Sequence, residues 1–532
     1  MHAWRSIAST PRPWALLILL LLVLRIPSLV APTGNDQNLY LYTADRIRAG
    51  GVPYVDAWDQ KPPAVHFIYA ALRSVWPHPS VVAAADLLAA AIVAWLLVLL
   101  GQRLIGPGAG PTAAALYVLF SDPALQRLNG VYVRGQCETF IALAVTAAIA
   151  LTTQAGRGRW HAGLAGVALG MAIWLKYNAV AYVLPAIVCL WLNPPTAADR
   201  RSALAREVGA VVGGVLVVSA AFLSYFVAHG AVTPWWHATI GYNLAYAGDT
   251  YSGPMDALTY LLRMPVGRAR LDLLWFLGGV GILVVVMRRH PVAPLVVAWV
   301  VSAAVAIGLN GARDLPQYFV QAAPALAFSG AAGLRLARRG SRPLQVVTVL
   351  AVVLGLWKVG VEPPGFAGLR WGGVPQLVDN VRFDTAYLFD RVSRDEYLAR
   401  FRGGQKYDAA AVDDLAQYVR DTTASTDRIL VFGFAPGVYV GSGRLSASRF
   451  FWSRPVIVEF DAADPSYGSR GLLRDLHAHP PTIVALQKRD WYPDVQNSMD
   501  FFLGNDGLSA WLAAGYVLDR DTPVFSVWRR SH

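Results

Sequence analysis

The chain has 532 residues, 55% of them hydrophobic and only 15% charged, with 18 Trp, 22 Tyr and 20 Phe. Its mean hydropathy is +0.40, whereas soluble domains carry about a quarter charged residues, so both an ordinary soluble protein and a disordered chain are excluded. Two cysteines, Cys137 and Cys189, both in apolar runs, leave no basis for a disulfide framework or a cysteine metal site.

The net charge of +12 is unevenly placed. Residues 1–360 hold 27 Lys+Arg against 13 Asp+Glu, a balance of +14, and residues 361–532 hold 19 against 21, a balance of −2. Basic residues lying between apolar segments orient a membrane protein and meet anionic lipid, so the bilayer is an expected partner and nucleic acid is not.

The first apolar run, Trp14 to Ala31, reads as an uncleaved first transmembrane helix, because Pro32 follows directly and many apolar runs come after. Further runs lie at about 80–100, 110–122, 137–153, 160–175, 177–193, 207–229, 271–287, 291–309, 315–334 and 343–361, giving roughly eleven spans. With a cytoplasmic N-terminus, Arg103, Arg157, Arg159, Arg200, Arg201, Arg206, Arg288, Arg289, Arg335, Arg338, Arg339 and Arg342 all fall on the cytoplasmic side. Residues 32–79, 121–136, 230–270, 310–314 and the C-terminal region then lie outside. No internal repeat is visible.

From about residue 375 the pattern alternates between helix and strand. A helix at 408–422, a strand at 428–433, a helix at 468–478, a strand at 482–487, a helix at 506–514 and strands at 515–519 and 523–528 predict a small α/β domain. The expected organisation is thus a transmembrane domain over 1–361 and an extracytoplasmic α/β domain over 375–532. FGFAPGVYVGSG does not match the dinucleotide fingerprint.

Candidate chemistry concentrates in the long loop after the first span, GNDQNLYLYTADRIRAGGVPYVDAWDQKPPAVHFIYAALRSVW. Its stretches Gln37–Ala49 and Ala64–Trp76 predict short amphipathic helices lying along the membrane surface. Asp36 precedes the first helix, where an aspartate also serves as an N-cap. Asp59 and Lys61, beside Pro62 and Pro63, form a turn that a salt bridge alone could explain. Downstream, Glu138 opens an apolar run, and an ionisable group at the mouth of a membrane helix is a functional suspect. Lys176, at the end of another run, and Arg313 also reach the outer side, where snorkelling to headgroups is the plain reading. Arg134 and His66 are weaker candidates. Trp235, Trp236, Tyr242, Asn243 and Tyr246 follow the seventh span and suit an interfacial belt, or contact with sugar and isoprenoid. No HxxxH, HExxH or carboxylate cluster marks a metal site, Asp56 and Asp59 being only a loose pair, so no metal or other cofactor is expected.

Taken together, Asp36 beyond the first span, YLYTADRIRAGGVPYVDAW, the DQKPP turn, RGQCETFIAL, GVALGMAIWLKYNAV and GARDLPQYFVQAAPALA resemble the GT-C membrane glycosyltransferases. The resemblance is to glycosyltransferase family 39 and its relatives, the protein O-mannosyltransferases and lipid A aminoarabinose transferases, and covers residues 10–360. It implies an α-helical polytopic membrane protein of the bacterial-type inner or plasma membrane. Such an enzyme moves a sugar, with inversion, from a polyprenyl-phosphate carrier to a hydroxyl of a glycan, lipid or protein acceptor on the outer face. It further implies Asp36 or Glu138 as base, Lys61, Lys176 and Arg313 at the donor phosphate, and Asp59, Tyr318, Tyr242 and Asn243 at substrate. Many relatives have Asp-Glu where this chain has Asp36-Gln37. A transporter or lipid flippase is the alternative from another class, and a sensor or assembly protein a third.

Overall fold

The computed structural model describes residues 11–154, 156, 158–193, 200–340, 342, 345–346, 348–350, 353, 373–403 and 406–531. The chain divides into two compact units, one of Met1–Ala31, Ala83–Tyr225 and Leu244–Thr385, the other of Pro32–Val82, Phe226–Asn243 and Ala386–His532.

The first unit is helical. Its principal helices are Pro11–Arg25, Val81–Leu104, Ala109–Phe120, Cys137–Thr152, Arg159–Leu175, Val183–Leu192, Arg200–Ala228, Leu273–Met287, Ala293–Gly308 and Ala323–Arg338, one within or over each predicted apolar run. The run at 343–361 lies largely outside the described residues. By length and composition Val81–Leu104 and Arg200–Ala228 can each cross a membrane, and up to four spans result if two bent helix pairs are counted. The sequence pattern predicts more because several of its runs form apolar helices of only 10–17 residues. The run at 177–193, for example, is a 3-10 turn, Tyr177–Tyr182, followed by Val183–Leu192.

Small residues set the closest helix approaches. A Cβ on Gly333 would lie 2.6 Å from the Gly281 Cα, and the Ser329 hydroxyl donates to the Gly278 carbonyl at 2.7 Å, joining Leu273–Met287 to Ala323–Arg338. Between apolar helices in lipid, such backbone proximity supplies dispersion contact where no hydrophobic gradient exists. A buried Arg25–Asp86 pair, 2.5 Å apart, extends the packing. Asp86 also accepts from the Gly135 amide and the Thr139 hydroxyl, and Arg25 donates to Ser121, so the pair leaves few charged atoms unsatisfied.

The second unit is built on a five-stranded sheet: β1 Arg428–Phe432, β2 Leu445–Ser446, β3 Ile483–Gln487, β4 Tyr516–Asp521 and β5 Phe525–Arg530, in the order β2-β1-β3-β5-β4. β1 is parallel to β2 and β3, and β5 is antiparallel to β3 and β4. β3 is buried along its whole length, as its apolar run IVAL requires of a strand covered on both faces. Helices Ala409–Thr422, Gly468–Ala478 and Asp506–Gly515 match the predicted segments, and Asp408 caps the first by accepting from the Ala411 amide at 3.0 Å.

The loop after the first span belongs to this same unit. Its helices are Asn35–Arg48 and Ala64–Val75, and the first is buried within the protein at nine of its fourteen positions. The physical reason is contact from far along the chain. The Ser446 amide donates to the Tyr42 hydroxyl at 2.9 Å, Asn35 donates to the Lys406 carbonyl at 2.8 Å, and the Tyr407 hydroxyl donates to the Thr33 carbonyl at 3.0 Å.

Candidate active site

Helix Asn35–Arg48 begins after Gly34, whose extended backbone forms the N-cap, so Asp36 sits inside the first turn and is not the cap. That placement puts its carboxylate at the positive end of the helix dipole. It is half-buried.

The DQKPP turn is fixed by several contacts. Tyr54, held at φ +69°, donates through its hydroxyl to the Lys61 carbonyl at 2.8 Å, and its amide reaches the Ala57 carbonyl. A tyrosine in the left-handed region is strained, and such strain persists only where surroundings over-determine it. The Trp58 amide donates to the Arg449 carbonyl at 2.9 Å, and the Trp452 indole donates to the Trp58 carbonyl at 3.0 Å. The turn therefore takes its shape from the loop around Trp452.

Asp59 is fully buried. Its Oδ1 accepts from the Gln60 amide at 2.7 Å, and Oδ2 lies 3.4 Å from His66 Nε2 without a well-aligned hydrogen bond. Burial pushes the Asp59 carboxyl up to about 7, Lys61 pulls it back down, and the charge of Asp36 pushes it up again. His66, equally buried, is pushed down to about 3 by burial and then by Lys61. The contact is accordingly not an ion pair at neutral pH, because the imidazole is neutral. Asp36, Asp59, Lys61 and His66 thus form one electrostatic group. His66 was a weak candidate by sequence, and only its spacing of seven from Asp59 hinted at the meeting.

Asn243 and Tyr242 belong to the same unit. A π turn at His237–Gly241, a widening often found at functional sites, leads into them. Asn243 donates to the Gln60 carbonyl at 2.6 Å and to the Thr239 carbonyl at 2.8 Å, so it braces the turn that carries Asp59 and Lys61. Tyr242 is buried with its ring edge-on to Trp58 and Phe460. Trp235 stacks on Phe226, while Trp236 is exposed.

The remaining candidates lie in the helical unit. Glu138 and Lys176 meet at 2.5 Å, both buried, with the ammonium 4.3 Å above the Tyr318 ring. Residues singled out separately are therefore one paired group, brought together because Glu138 opens Cys137–Thr152 and Lys176 closes Arg159–Leu175. Arg313 lies 3.8 Å above the Tyr246 ring and donates to the Tyr246 carbonyl. Arg134 donates to the Asn129 carbonyl at 2.7 Å, a structural contact. Among the described residues, no three of His, Cys, Asp and Glu cluster as a metal site would need.

No family model and no curated protein matches the sequence. Among solved structures, ArnT from Cupriavidus metallidurans, in a crystal structure bound to undecaprenyl phosphate, is similar over 98% of both chains, with a TM-score of 0.61 and 15% identity. The chain has the GT-C fold. Two other GT-C structures are less alike. The oligosaccharyltransferase AglB from Archaeoglobus fulgidus, in complex with an inhibitory peptide and a dolichol-phosphate, shows 11% identity and a TM-score of 0.46 over 98% of this chain and 74% of that one. The arabinofuranosyltransferase AftD from Mycobacteria shows 14% identity and a TM-score of 0.48 over 98% of this chain and 41% of its own length. Within a GT-C fold, the polar turn at Asp59–Lys61 and the helix carrying Asp36 belong to one unit with the C-terminal sheet.

Proposed function

We propose that this protein is an inverting glycosyltransferase that moves a sugar from a polyprenyl-phosphate carrier to an acceptor hydroxyl of a glycan, lipid or protein at the outer face of the inner or plasma membrane. The acceptor oxygen attacks the anomeric carbon as the bond from that carbon to the phosphate oxygen breaks. The acceptor proton passes to the Asp36 carboxylate, and the bonding pair leaves with the carrier phosphate, whose growing charge is met by the Lys61 ammonium. Asp59 and Asn243 hold the Lys61 turn. No step calls on a metal.

The observation that carries the reading is a buried carboxyl, Asp59, whose charged form Lys61 favours and Asp36 opposes, in a chain of GT-C fold. A base and a phosphate-binding cation are the two groups this displacement needs. Purified protein given radiolabelled polyprenyl-phosphate sugars should release label from the lipid to acceptor. Asp36→Asn, which keeps shape and removes the base, should slow that release about a hundred-fold or more while leaving the protein folded. Unchanged turnover would remove Asp36 from the chemistry. Failure with every plausible donor, together with solute uptake by proteoliposomes, would favour a transporter.

A further inference from the structure

Helix Pro254–Ala269 stands apart from the apolar helices around it. It meets the following helix, Leu273–Met287, at a bend of 107°. One side is moored within its unit: the Tyr260 hydroxyl donates to Asp314 at 2.5 Å, Met264 is buried, and the Arg268 guanidinium lies 3.8 Å over the Phe319 ring. The other side carries Met255, Leu258, Leu262 and Val266, exposed by 72%, 48%, 69% and 56%. At about 100° per residue these four fall within about 80° of arc. Arg263 and Arg270, both exposed, fall beside that stripe.

An unpartnered apolar stripe bordered by arginines, on a helix roughly perpendicular to a strongly apolar one, has the form of a helix lying in the plane of a bilayer surface. If Leu273–Met287 crosses the membrane, the bend directs Pro254–Ala269 along its surface. We propose that Pro254–Ala269 docks on the outer leaflet, its stripe set among the upper acyl chains and Arg263 and Arg270 on the phosphates of anionic phospholipid. Asp256 alone among the exposed residues of the helix is acidic, and it falls about 80° beyond the edge of the stripe, on the same flank as Arg263. The docked helix would also steady Asp314, and with it the segment that carries Arg313 and Tyr318. This inference does not depend on the transfer reaction.

The test uses the full chain in nanodiscs, with an environment-sensitive maleimide fluorophore on Leu262→Cys. Cys137 and Cys189 are fully buried and escape labelling in the folded protein. Nitroxide carried high on the acyl chain should quench the Leu262→Cys probe, and nitroxide near the bilayer centre should quench it less. A probe on Asp256→Cys should be quenched weakly by both. Quenching by nitroxide-labelled phosphatidylglycerol should exceed that by labelled phosphatidylcholine, and R263Q/R270Q should lower that preference, by roughly five-fold per arginine at most. A Leu262→Cys probe that no lipid quenches, one quenched most at the bilayer centre, or one quenched equally by the two lipids would overturn the proposal.

Discussion

Glu138 and Lys176 test how a charge pair behaves when buried. Removing one partner strands a charge, at a cost of about 3–5 kcal/mol, whereas removing both lets an apolar contact replace the pair. Lys176→Met should therefore lower the thermal unfolding temperature in detergent sharply, and Glu138→Leu/Lys176→Met should regain most of the loss. A double variant no more stable than the single would show that the pair is not the unit of stability. Asp59 makes a different prediction, because the fold favours its neutral form. Its carboxyl rises from 3.8 to about 7, so the native state holds the extra proton and stability falls as pH climbs between those values. His66 falls from 6.5 to about 3, so its contribution rises with pH over 3 to 6.5. The two slopes oppose each other up to pH 6.5, and above it only Asp59 changes. Its ionisation near pH 7 sets a buried negative charge beside Lys61, in competition with a donor phosphate. Sugar transfer should therefore decline above about pH 7, and Asp59→Asn should remove that limb of the profile. An unchanged alkaline limb in Asp59→Asn would assign it to another group.

At the scale of elements, helix packing through glycine makes a clear contrast. A side chain on Gly281 would strike the Ser329 backbone, while the space at Gly279, on the same helix, is open. Gly281→Val should destabilise by about 1–3 kcal/mol through overpacking, and Gly279→Ala should be neutral or slightly stabilising, because alanine is the better helix former. Thermal unfolding in detergent separates the two, and equal behaviour would contradict the packing. Nothing in GVALG or GGVGI distinguishes a contacting glycine from an open one, since the partner is a helix tens of residues away. The α/β elements were far more legible, because each declares itself within a few residues. Asp408 stands before an apolar period of 3.6, and IVAL is a continuous buried run. The two-residue β2 and the six-residue helix Gly437–Ser442 leave no periodic signal because each is too short to repeat its pattern. In the candidate site Asp36 and Lys61 were legible through motif resemblance, whereas the Glu138–Lys176 pairing and the support of Trp58 by Arg449 and Trp452 depend on tertiary contact alone.

At the scale of the molecule, the make-up of the second unit constrains topology independently of arginine counting. Residues 32–82, 226–243 and 386–532 form one compact unit joined by hydrogen bonds such as Ser446 to Tyr42, so all three must lie on one side of a membrane. Each intervening stretch then crosses an even number of times. The sequence places six apolar runs between 82 and 226, which satisfies the rule. Between 243 and 386 it places four, at 271–287, 291–309, 315–334 and 343–361, an even number as well, although most of the last run lies outside the described residues. The arginines at 335, 338, 339 and 342 immediately before that run lead to the same expectation, since basic residues favour the cytoplasmic side. Alkaline phosphatase fused after residue 50, 236 or 391 should be active, and fused after 289 or 340 inactive. The fusions at 340 and 391 are decisive. Equal activity at both would mean that 343–361 does not cross, and a compact unit made of these three segments could then not assemble on one face.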